Sequence, residues 1–79
     1  MIKKSKKTYF KDELFLKNIG IKIRECRTLN GISIENLANE CDIDYSQLSR
    51  MELGKVNSSV SFLSKIAKSL KIDPKELLP

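Results

Sequence analysis

The chain has 79 residues, with 15 Lys and Arg against 10 Asp and Glu, for a net charge of +5. A chain of this length buries only about 60% of its unfolded surface, so it supports one modest core and excludes a two-domain enzyme. At 41% apolar and 32% charged residues it reads as globular rather than disordered.

The excess charge belongs to one end. Lys3, Lys4, Lys6, Lys7 and Lys11 lie in the first eleven residues without an acid among them, whereas residues 12–79 carry ten basic and ten acidic side chains. The chain therefore divides into a basic, flexible N-terminal arm, residues 1–11, and a formally neutral folded body, residues 12–79. Tyr9 and Phe10 close the arm. Asp12 is an N-cap candidate, and Phe15, Ile19, Ile23, Cys26 and Leu29 follow at helical spacing. Gly20 should weaken this helix slightly, and Asn30-Gly31 should stop it.

Ser33 caps the next predicted helix, whose inward residues are Leu37, Ala38 and Cys41. A very short break, Asp42-Ile43-Asp44, leads to a third helix with Leu48 and Met51 inward and Gly54 at its end. Asp44 and Gln47 have the spacing of a capping box. After the polar loop Lys55-Val56-Asn57-Ser58, a fourth helix starts at Ser58 or Ser59, with Val60, Leu63, Ala67 and Leu70 as its stripe and Ile66 beside them. Asp73-Pro74-Lys75-Glu76 combines a cap, a proline at the first helical position and an acid at the third, and predicts a short fifth helix through Leu77 and Leu78. No strand pattern competes, so the expected class is all-α.

Catalytic equipment is missing from this pattern. Histidine, the commonest general base, does not occur, and Cys26 and Cys41 form no CxxC pair. A structural zinc site needs four Cys or His ligands, so the cysteines read as small buried hydrophobes. We expect no catalytic residues, no metal and no cofactor. No apolar run approaches the ~20 residues that cross a bilayer, and no signal-like apolar stretch follows the first lysines, so a cytoplasmic protein without membrane association is expected.

The informative segment runs from Ile34 to Met51. Two short helices joined by about three residues must cross steeply, which needs a small residue at the crossing, here Ala38, and apolar anchors on both sides of the turn. Leu37, Cys41, Ile43, Leu48 and Met51 supply the anchors. This is a helix-turn-helix pattern, whose second helix projects into a DNA major groove. On that helix Tyr45, Ser46, Gln47, Ser49 and Arg50 point outward and are the candidate base readers. Gln47 has the geometry for a bidentate contact to adenine, or for closing the box with Asp44. Arg50 suits guanine or a phosphate, and Tyr45 a thymine methyl, a phosphate or its own scaffold. Ser33 and Ser46 lie at helix starts, where free N–H groups bind phosphates.

The stretches NIGIKIRECRTLNGIS, IENLANECDIDYSQLSRMELGK and SVSFLSKIAKSLKIDPKELL, together residues 18–78, resemble the Cro/phage-repressor class of helix-turn-helix domains, the XRE class. Small stand-alone repressors and the controller proteins of restriction-modification systems belong to that class. The resemblance implies a five-helix, lambda-repressor-like bundle with a central helix-turn-helix, and a homodimer on a palindromic operator in double-stranded DNA. It implies an ion pair between Arg27 and Glu52 that holds the recognition helix, and phosphate contacts from Lys55, Asn57 and Ser58. The sequence departs from the class at Ile34, where many relatives have Gln, and at Asp42, where Gly is frequent. Apolar Phe62, Leu77 and Leu78 in the late helices are the candidate dimer interface.

Three functions compete at this level. The leading one is a sequence-specific transcriptional regulator. The alternative is a protein-interaction module, an antitoxin or adaptor with a protein partner, built on the same fold. Single-strand or RNA binding through the lysine arm is the third.

Overall fold

The computed structural model describes residues 12–79, so the arm expected over 1–11 lies outside the described residues. Asp12 starts helix α1 (Glu13–Leu29), its carboxylate accepting from the Phe15 amide at 3.0 Å. Ser33 caps α2 (Ile34–Cys41) through the Asn36 amide at 3.0 Å. Helix α3 (Tyr45–Glu52) follows, and then α4 (Val60–Leu70), capped by Ser59 through the Phe62 amide at 3.1 Å. Among the described residues there is no strand.

The expected fifth α-helix is instead a 3-10 turn, Pro74–Leu77. Its bonds span three residues, from the Glu76 amide to the Asp73 carbonyl at 2.9 Å and from the Leu78 amide to the Lys75 carbonyl at 3.1 Å. The Asp73–Glu76 capping box forms as expected, but Leu78 is already extended, with ψ 142°, so no second turn follows. Among the described residues the bundle therefore has four α-helices and a C-terminal 3-10 turn.

Each α-helix ends on a residue in the left-handed region: Gly31, Asp42, Gly54 and Lys71. In each case the next amide reaches back five residues, Ile32 to Arg27, Ile43 to Ala38, Lys55 to Arg50 and Ile72 to Ala67, at 2.9 to 3.1 Å. These closures satisfy carbonyls that would otherwise be left unpaired. Three of them carry an isoleucine, Ile32, Ile43 or Ile72, that turns the chain back onto the core.

The core gathers Ile19 and Ile23 from α1, Leu37, Ala38 and Cys41 from α2, Leu48 and Met51 from α3, Ile66, Ala67 and Leu70 from α4, and Leu77 from the turn. Burying one such Leu or Ile contributes about 1.5–3 kcal/mol. The buried stripe of α1 is Leu16, Ile19, Gly20, Ile23 and Arg27, starting one position after the expected Phe15 and ending two before the expected Leu29. Phe15 is 43% exposed and Leu29 86% exposed. Successive residues turn by about 100°, so a side chain one or two positions off the stripe leaves the core. Val60, expected on the stripe of α4, is 82% exposed because it precedes the packed face, which begins at Phe62 and Leu63. Cys41 is buried and Cys26 half-buried; both are free thiols. Burial pushes the Cys41 thiol above its ordinary value, partly offset by its hydrogen bonding with Ser69.

Candidate nucleic-acid interface

The turn between α2 and α3 is built around Asp42, at φ 57° and ψ 46°. An L-residue pays a steric cost there, and Asp is among the few that tolerate it, so the helix-turn-helix closes without glycine. Ile43 then drops into the core while Ala38, 2% exposed, lies beneath the turn.

Behind α3 the structure is unusually tight. Arg27 donates from Nε to Glu52 Oε2 at 2.7 Å and from Nη2 to Oε1 at 3.1 Å, a bidentate pair in which both residues are buried. Its Nη1 donates to the Ile32 carbonyl at 2.8 Å, so one guanidinium ties α1, the loop before α2 and the end of α3. Glu52 is thereby paired, and the end of α3 does not present a bare carboxylate at the surface.

Sequence reasoning missed the second fastening. A Cβ added to Gly20 would lie 2.6 Å from the Met51 carbonyl oxygen and closer still to that of Glu52. A Cβ on Gly54 would lie 2.6 Å from Lys17 Cα and 2.8 Å from Lys17 N. The main chains of α1 and of the end of α3 thus touch over about one turn. The available signal was Gly20 itself, since a glycine inside a helix costs about 1 kcal/mol relative to alanine and needs a packing reason.

The opposite face of α3 is open. Tyr45, Ser46 and Arg50 are exposed, while Gln47 and Ser49 are half-buried at its edges. Among the described residues none of these five side chains is held by a hydrogen bond or ion pair, so their donors and acceptors remain uncommitted. The capping box expected between Asp44 and Gln47 does not form: Asp44 makes no side-chain cap, and its carbonyl accepts from the Leu48 amide at 3.0 Å. Of the phosphate candidates, Ser33 is exposed but occupied as the cap of α2; Lys55 and Asn57 are exposed and Ser58 half-buried in the loop after α3. Ile34 is half-buried against the core, so at this position packing replaces a polar contact.

Leu77 requires a correction. It is 0% exposed and fully used by the core, so it offers no surface to a second copy, whereas Leu78 is 45% exposed and Phe62 half-buried. Among the described residues no cluster of three or more His, Cys, Asp or Glu is arranged to hold a metal, and no helix is long and apolar enough to cross a membrane.

A short α-helical pair crossing over a small residue, with its second helix braced from behind and polar side chains outward, defines the helix-turn-helix class. The helix-turn-helix family profile matches residues 23–77, and the chain belongs to this family. It is 40% identical over 60 residues to the control protein C.BamHI of Bacillus amyloliquefaciens, covering 75% of this chain and 74% of that one. It superimposes on the restriction-modification controller protein C.AhdI from Aeromonas hydrophila with a TM-score of 0.78 and 38% identity, over 80% of this chain and 96% of that one. The restriction-modification controller protein C.Esp1396I gives a TM-score of 0.70 at 26% identity, covering 73% of this chain and 74% of that one.

Proposed function

We propose that this protein is a sequence-specific, double-stranded DNA-binding transcriptional regulator of the restriction-modification controller type, acting as a homodimer on a two-fold related operator. The observation that carries this reading is the asymmetry of α3. Its inner side is locked by Arg27 and by main-chain contact with α1, while among the described residues its outward polar side chains make no hydrogen bond or ion pair. A rigid helix with unused donors and acceptors is what base reading requires. Tyr45, Ser46, Gln47, Ser49 and Arg50 are the base readers in this proposal, and Ser33, Lys55, Asn57 and Ser58 contact phosphates. Phe62 and Leu78 are the apolar residues through which a second copy would pair.

Selection from a random duplex library tests the proposal. A consensus with two-fold related half-sites should be enriched at moderate salt, and the absence of one would refute it. With the amide of Gln47 not consumed by a cap, Gln47→Ala should relax preference at one base position, costing about 1–3 kcal/mol there and leaving the other positions intact.

The body is formally neutral, so bulk attraction to DNA falls to the arm. Five lysines neutralising five phosphates contribute about 4–5 units to the slope of log affinity against log salt. Deleting residues 1–11 should flatten the measured slope by up to that amount and leave the consensus unchanged. A deletion that alters the consensus would instead make the arm a base reader.

A further inference from the structure

The same bracing that favours DNA reading has a part with no side chains in it. Gly20 and Gly54 bring the backbone of α1, over Lys17 to Gly20, against that of the α3 terminus, over Met51 to Gly54. At both places an added Cβ falls inside 3.0 Å of backbone atoms, which cannot rotate away as a side-chain tip would. α3 therefore lies closer to α1 than a residue with a side chain at either position would allow. A side chain added at either place could be accommodated only by moving main chain.

Resting on the DNA-binding reading above, we infer that Gly20 and Gly54 are positioning residues for base recognition: they set the depth at which α3 is presented to the groove. Hydrogen bonds to base edges tolerate only about 2.7–3.2 Å between heavy atoms, so a displacement of the helix by ~1 Å disables them. Lysine contacts to phosphates, on long and rotatable stems, tolerate the same displacement. Pushing α3 outward thus removes discrimination between sequences before it removes binding to DNA as such. The arm is untouched by such a change, so its contribution is retained.

Gly31 supplies an internal control. It has φ +66°, close to the +72° of Gly54, but a Cβ there meets nothing within 4 Å. Asn tolerates the left-handed region, so Gly54→Asn and Gly31→Asn carry matched backbone strain and differ in the collision. The experiment uses the full chain and compares affinity for the selected consensus with affinity for a scrambled duplex of equal length. It is run at a temperature where circular dichroism reports each variant folded, with Gly20→Ala as an independent probe of the second stop.

The expected result is a fall of about 10- to 100-fold in the consensus-to-scrambled ratio for Gly54→Asn and Gly20→Ala, on the scale of losing one or two base contacts. Scrambled-duplex affinity and its salt slope should stay at the wild-type value, and Gly31→Asn should keep the wild-type ratio. An unchanged ratio in Gly54→Asn overturns the inference, as does an equal loss in Gly31→Asn. Failure of both Gly54→Asn and Gly20→Ala to fold makes the contact a folding requirement, which also overturns it. A wild-type protein that enriches no consensus would instead defeat the regulator reading on which it rests.

Discussion

Arg27→Ala is expected to lower the melting temperature by at least about 12 °C, from a loss of about 3–5 kcal/mol at about 4–8 °C per kcal/mol. The large effect comes from what remains behind. Glu52 is buried, and its two carboxylate oxygens accept at 2.7 and 3.1 Å from Arg27. Without Arg27 that charge stays out of water without compensation, and the Ile32 carbonyl loses its donor at 2.8 Å as well. Two controls separate this account from that of a surface ion pair. The double variant Arg27→Met/Glu52→Met should recover most of the loss, because an apolar pair of similar volume replaces a buried ionic one at little net cost. The difference between wild type and Arg27→Ala should also persist in high salt, which screens exposed pairs far more than buried ones. Thermal unfolding followed by circular dichroism checks all three; an unchanged melting temperature in Arg27→Ala would show that the pair contributes nothing.

Gly20→Ala tests a sign as well as a size. Helix propensity alone favours alanine by about 1 kcal/mol in the middle of a helix. The structure demands the opposite, because the new methyl meets the carbonyl oxygens of Met51 and Glu52. Overpacking costs about 1–3 kcal/mol where side chains can yield, and here only main chain is available to move. A net destabilisation of about 2 kcal/mol is expected, read as a lower urea midpoint with an unchanged slope. A raised midpoint would mean that α1 and α3 separate freely. Since the displaced residue is Glu52 itself, combining Gly20→Ala with Arg27→Ala should give less than the sum of the two losses.

Much of the fold was legible because its signals are local. Asp12, Ser33 and Asp73 are capping residues by chemistry, and each accepts the amide hydrogen bond its position implies. The helix-turn-helix was legible from Ala38, Ile43, Leu48 and Met51, since only a small residue and inward anchors permit so short a turn. The errors cluster where a local pattern meets the edge of the core. Phe15, Leu29 and Val60 fit a helical repeat, yet each lies where no neighbouring element covers that side of its helix. Asp44 and Gln47 had the spacing of a capping box without its geometry. Leu77 looks like spare apolar surface in the sequence because composition does not reveal that α4 and α1 pack against the 3-10 turn that carries it.

By itself, the sequence determined the order and positions of the four α-helices, the position of the short turn and the set of polar side chains on α3. These follow from spacing, capping chemistry and period, which act over a few residues. Tertiary structure alone decided which residue pairs meet across the fold. The bidentate grip of Arg27 on Glu52 joins residues 25 apart in the chain, and the contacts of Gly20 with Met51 and of Gly54 with Lys17 span more than thirty. A glycine that looks like a weakness in one helix becomes the point of closest approach of another. Such a role depends on the distance between two main chains, which no local pattern encodes.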